Sequence, residues 1–100
     1  MTLEKIRKQL KTVRGFYAER ASLERAFLQL PHESADLAKA YGAVMYHAPL
    51  DLYKVYFALY VRGLTQEAAA EELNFCPEYI RQKNKKLLLY LQQNLEKEDD

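Results

Sequence analysis

The chain of 100 residues suits one domain with one modest core, and is too short for the paired lobes most cofactor enzymes need. With 49% hydrophobic and 29% charged residues it has a globular rather than a disordered composition, while three glycines and three prolines supply too few turns for an all-β sandwich. A net charge of +1 gives no global attraction to nucleic acid, so any such preference must lie in how the charge is distributed.

Cys76 is the only cysteine, which excludes an intrachain disulfide and a cysteine-based zinc site and accords with a reducing compartment. The longest apolar run, residues 55–61, falls far short of a membrane span. The N-terminus alternates apolar and basic residues without the continuous apolar stretch of a secretory signal. A cytoplasmic protein with no membrane partner is expected.

Proline and glycine divide the sequence into helical stretches, and the expected fold class is all-α. Between Thr2 and Leu30 there is no proline, and Leu3, Ile6, Leu10, Val13 and Tyr17 recur in steps of three and four, a seam along one helix face. Pro31 ends this helix, which would be roughly 40 Å long if unbroken. The seam either packs back on the rest of the molecule or forms a homodimer through residues 3–30. Ser34 is the expected N-cap of a second helix, with Leu37, Tyr41, Val44, Met45 and Ala48 on one face, Gly42 inside it and Pro49 closing it. A third helix runs from Leu50 or Asp51 to Arg62 with Leu52, Val55, Tyr56, Leu59 and Tyr60 as its apolar stripe, and Gly63 supplies a left-handed stop. The β-branched and aromatic residues between Tyr53 and Phe57 would also suit a buried strand, but no partner strand is apparent.

After Gly63 the pattern changes to a short helix, a tight turn and another helix. Thr65 can cap a helix starting at Gln66, with Glu67 in its first turn, and Ala68, Ala69 and Ala70 are small enough for a second helix to approach closely. Asn74 tolerates the left-handed conformation at the helix end, Phe75 is expected to anchor the turn in the core, Cys76 stands at an N-cap position and Pro77 at the first helical position. The final helix runs to about Leu95, with Ile80, Leu87, Leu88, Leu91 and Leu95 inward and Glu78, Tyr79, Arg81, Gln82 and Lys85 outward. This is the plan of a helix-turn-helix. Residues 76–91 carry a net +3, from Arg81, Lys83, Lys85 and Lys86 against Glu78, whereas residues 51–75 carry −2 and residues 92–100 carry −3. The near-neutral total therefore hides a basic stripe on the last helix.

The run Thr65-Gln-Glu-Ala-Ala-Ala-Glu-Glu-Leu73, then Asn74-Phe-Cys-Pro-Glu-Tyr-Ile-Arg-Gln82, then Lys83-Asn-Lys-Lys-Leu-Leu88 resembles region 4 of primary-type bacterial sigma factors. The Gly63-Leu64-Thr65 lead-in, Glu67, Leu73, Glu78, Ile80-Arg81-Gln82, Lys86 and Leu88 match that pattern in register. With the preceding helix the likeness covers about half the chain. The layout of a long basic helix before such a unit is similar to small phage-encoded regulators of the ArpU type.

The resemblance implies a DNA-binding transcriptional regulator whose last helix, from Pro77, enters the major groove of duplex DNA. Glu78, Arg81 and Gln82 would meet base edges, since glutamate accepts from the cytosine amino group, arginine donates twice to guanine and glutamine pairs with adenine. Lys85 and Lys86 would neutralise phosphates, and the helix starts at Thr65 and Pro77 would offer backbone amides to them. The chain departs from the family at Pro77 and Tyr79, which stand where two arginines are usual, and at Cys76 in place of a serine cap. Tyr79 would offer its ring for stacking or for contact with a thymine methyl. Nothing in the chain resembles the sigma regions that bind the minus-10 element.

Plainer readings stand beside these. The basic stripe is also what a solvated terminal helix looks like, most tyrosines belong to core or interface, and Cys76 reads more simply as a small buried side chain than as a redox-sensitive cap. His32 and His47 are too far apart to share a helix face, and no nucleophile–base pair, carboxylate pair or glycine-rich phosphate loop is visible. No enzyme activity, cofactor or metal is expected. Region 4 of sigma factors also docks on RNA polymerase, so a module that binds RNA polymerase or another protein partner without reading DNA is the alternative. The N-terminal stretch, net +4 over residues 1–30, would lie along a DNA backbone, on an anionic membrane, or in solvent with its seam buried. Its interleaved Glu4, Glu19 and Glu24 favour a protein seam over a membrane.

Overall fold

Steps of three and four between apolar residues become buried helix faces in the computed structural model, which describes residues 1–25 and 32–95 and, within them, the side chains of 1–19 and 34–95. Five helices follow in order: α1 (Leu3–Arg25), α2 (His32–Tyr46), α3 (Leu50–Tyr56), α4 (Gln66–Leu73) and α5 (Pro77–Leu95). A π-helical segment, Phe57–Val61, prolongs α3. The described residues contain no strand, which removes the strand alternative for residues 53–57, and no helix among them is long and apolar enough to cross a membrane.

Two apolar clusters hold the helices. The larger joins Ile6, Leu10 and Val13 of α1, Ala38, Tyr41 and Met45 of α2, Leu52 and Tyr56 of α3, and Leu87, Leu88, Leu91 and Leu95 of α5. The smaller joins Val55, Ala58 and Leu59 to Ala69 and Ala70 of α4 and Ile80 of α5. The α3 helix with its π segment thus lies between the clusters, and α5 contributes to both. The seam of α1 is filled by the chain's own helices, with Phe16 and Tyr17 packed at its edge, so this face is occupied within one molecule. The side chains of 20–30 and the expected end at Pro31 lie outside the described residues.

Several boundaries differ from expectation for local reasons. Helix α2 begins at His32, so Ser34 lies inside its first turn rather than capping it. It ends at Tyr46, where the His47 and Ala48 amides donate to Val44 and Met45, and Pro49 with ψ 146° serves instead as the N-cap of α3. The wider turn of the π segment closes with the Arg62 amide donating to the Phe57 carbonyl at 2.9 Å. Tyr46, by contrast with the buried Tyr41 and Tyr56, stands 78% exposed.

Polar groups pin the orientation of α1. The Tyr41 hydroxyl donates to Gln9 Oε1 at 2.6 Å, and Gln92 Nε2 donates to the Met1 carbonyl at 3.0 Å. Burial pushes the Tyr41 hydroxyl up to about 12. Tyr56 is as deeply buried, but its hydroxyl has no hydrogen-bond partner among the described residues. A buried hydroxyl without a partner costs about 1–3 kcal/mol, while one well-made hydrogen bond stabilises by about 1 kcal/mol. Tyr56→Phe is therefore expected to leave stability unchanged or raise it, and Tyr41→Phe to lower it by about 1 kcal/mol, as read by urea denaturation of the two variants in parallel.

Candidate nucleic-acid interface

The exposed face of α5 is set by what lies behind it and by the turn that starts it. Thr65, in extended conformation, accepts the Ala68 amide on its hydroxyl at 3.1 Å and so starts α4 at Gln66. The methyl-sized Ala69 and Ala70 are fully buried and let α4 lie close to Ile80. Helix α4 ends on Asn74 at φ 65° and ψ 42°, and the Phe75 amide donates back to the Ala70 carbonyl at 2.8 Å. Two residues later α5 begins at Pro77, with the Tyr79 and Ile80 amides donating to the Cys76 carbonyl. Gly63, at φ 72°, makes the preceding turn, and its carbonyl accepts from Arg14 Nη2 at 3.0 Å.

The side chains singled out from the sequence fall into three groups. Glu78, Arg81, Gln82, Lys85 and Lys86 are exposed on the outer side of α5, opposite Ile80 and Leu87. Glu78 forms an ion pair with Arg81, and its carboxylate accepts from Gln82 Nε2 at 3.4 Å, so these three polar heads are gathered one turn into the helix. Thr65 and Pro77 are exposed at the starts of α4 and α5. Tyr79 is turned elsewhere: its half-buried ring stacks on Phe75 with centroids 4.0 Å apart, and Lys83 Nζ sits 5.3 Å from the ring centre.

Two expectations at the turn are corrected. Phe75 is 45% exposed instead of anchoring the core, because Ala69, Ala70 and Ile80 already close the interior there and the ring lies across Tyr79. Cys76 is exposed rather than buried. With Leu50, Val55, Leu73 and Tyr79, Phe75 lines an apolar groove between α3 and the turn.

Lys83 belongs to the basic stripe by sequence but is committed elsewhere. Its ammonium donates to Asp51 Oδ2 at 2.5 Å, tying α5 to the first turn of α3. The hydrogen bond from Lys83 holds the Asp51 carboxyl below the usual aspartate range, and the same bond raises Lys83. An ion pair between Arg62 and Glu72 similarly ties the end of the π segment to α4. The Tyr60 hydroxyl donates to Asn84 Oδ1 at 2.7 Å and fixes α5 from a third direction. None of these cross-links follows a local sequence rule, since each pairs residues ten or more positions apart.

No protein-family model, curated protein or solved structure matches the chain.

A carboxyl held below its unfolded value stabilises the fold above that unfolded value, about 3.9, and the contribution is lost as pH falls through the lower folded one. Asp51→Asn keeps an oxygen for the Leu52 amide but removes the charge facing Lys83. The variant is expected to melt below the parent near neutral pH, with the gap closing by about pH 2, in thermal unfolding followed by circular dichroism across that range.

Proposed function

We propose that this protein is a sequence-specific regulator of transcription that binds duplex DNA through α5, with α4 and α5 acting as a helix-turn-helix. The observation that carries the reading is the outer face of α5. Glu78, Arg81, Gln82 and Lys85 follow one another at helical spacing, all exposed, directly after a tight left-handed turn. Such a face reaches base edges when a helix N-terminal half enters the major groove. The resemblance of residues 63–88 to sigma region 4 supports the same face.

In the free protein Glu78 keeps Arg81 and Gln82 together at low cost, since exposed ion pairs hold by no more than about 1 kcal/mol. Against a G·C pair the guanidinium exchanges the carboxylate for the guanine O6 and N7 acceptors, and Glu78 is released toward a cytosine amino group. Gln82 is then free to pair with adenine. Lys85 and Lys86 make no ion pair among the described residues and supply phosphate contacts. Lys83 and Tyr79, occupied with Asp51 and Phe75, contribute to the placement of α5 rather than to the contact.

A second reading, a module that docks on RNA polymerase or another protein without reading DNA, is favoured by the apolar groove, where Leu50 is 66% and Phe75 45% exposed. The two readings separate on Arg81. Under the DNA reading, Arg81→Ala weakens binding to a selected site by about 1–3 kcal/mol and relaxes its sequence preference, and Arg81→Glu abolishes binding. The measurement is fluorescence anisotropy on duplexes selected from a random pool. Undiminished binding by Arg81→Glu would remove α5 as the reading surface.

A further inference from the structure

The N-terminal helix brings a second row of cations beside α5. Its direction follows from its contacts: Met1 accepts from Gln92, Leu3 shares a shallow groove with Leu88 and Leu89, and Arg7 shares that groove with Lys85. Helix α1 therefore runs antiparallel to α5, and Arg7 stands at the level of Lys85 on the flank of the outer face. One turn and two turns further on, Lys11 and Arg14 share the helix face of Arg7 by their spacing. Arg14 reaches the other end of the unit, where it donates to the Gly63 carbonyl and lies beside Thr65 and Gln66 at the start of α4. The charges of Arg14 and Arg7 both bear on the Tyr60 hydroxyl, which is itself bonded to Asn84 of α5.

Arg14 is held by the Gly63 carbonyl, while the other two cations of the row have no ion-pair partner among the described residues. Arg7 and Lys85 are like charges lining one groove, and neither they nor Lys11 are engaged in an ion pair among the described residues. Glu4 lies a turn away on α1 but does not pair with them. Three acidic groups of this unit are otherwise used: Glu78 holds Arg81, Asp51 holds Lys83 and Glu72 holds Arg62. Cations so placed, exposed and adjacent, repel one another until a multivalent anion lies across them. From Arg7 to Arg14 the helix rises roughly 10 Å, the axial length of about three base steps at 3.4 Å each.

We infer that α1 is part of the DNA-binding surface, its Arg7–Lys11–Arg14 ridge following the phosphate backbone of the duplex whose groove α5 enters. The inference rests on the DNA reading of α5 and adds to it a contact on a separate helix. Arg7 would continue the phosphate line begun by Lys85, and Arg14 would join the amides at the start of α4. The ridge carries no base-reading geometry, so it adds affinity and register without adding sequence preference. The ridge flanks the apolar seam of α1, whose Ile6, Leu10 and Val13 are buried in the large cluster and hold it in place without help from the ligand.

Counterion release makes this countable. The logarithm of the binding constant falls with the logarithm of salt concentration by about 0.9 for each phosphate contact. The full-length chain, Arg7→Gln/Lys11→Gln and Lys85→Gln are titrated onto a random-sequence DNA duplex at several salt concentrations, with circular dichroism melts to confirm folding. Arg14 is left intact because it also supports the Gly63 turn. The slope is expected to become shallower by about 1.8 in the double variant and by about 0.9 in Lys85→Gln, with the sequence preference of a selected site unchanged. A double variant that binds with the parent's slope while Lys85→Gln loses its share would overturn the role of α1 and leave the α5 reading standing. Absence of binding by the parent chain even at low salt would overturn both.

Discussion

The inner stripe of α5 governs the rest of the molecule. Ile80 closes the small cluster around Ala69 and Ala70, while Leu87, Leu88, Leu91 and Leu95 complete the large one with α1, α2 and α3. A helix committed to two cores along one side has no rotational freedom, so its other side is fixed as surface. Three polar ties act in the same sense from separate elements: Asp51 to Lys83, Tyr60 to Asn84 and Met1 to Gln92. The result is a polar face whose orientation is fixed by the packing behind it.

Charge is sorted on the same frame. The chain is close to neutral overall, yet three of its acidic residues, Asp51, Glu72 and Glu78, are tied up as ion-pair partners around α4 and α5. Arg7, Lys11, Lys85 and Lys86, which make no ion pair among the described residues, lie on the outer side of α5 and on the adjoining ridge of α1. Net charge therefore says little about this protein, and the distribution of unpaired charge says more. The opposite flank of α5 is apolar, with Tyr79, Phe75 and Leu50 around a groove, so the two flanks of one helix offer different chemistries.

Much of this was legible from local rules. Thr65 as a cap, Asn74 and Gly63 as left-handed stops, and the spacing of Ile80, Leu87, Leu88, Leu91 and Leu95 all act within a turn or two, where sequence and geometry are tightly linked. Phe75 and Cys76 were not legible, because hydrophobicity does not tell whether the space behind a turn is already filled by alanines. Ser34 and Pro49 show the same limit, since a good cap residue marks where a helix can start without deciding among neighbouring starts. The polar face was visible as a list of residues, but the pairing of Lys83 with Asp51 and the antiparallel placement of α1 depend on contacts between distant segments. Those contacts divide the cations into structural and free ones.

The most direct test of the account is a map of where DNA touches the molecule. In a titration of isotope-labelled protein with a random-sequence duplex, the account predicts amide shift changes concentrated at residues 65–67, 78–86 and 7–14, with the apolar groove around Leu50 and Phe75 left unchanged. Changes confined to that groove, or absent from α5, would contradict it.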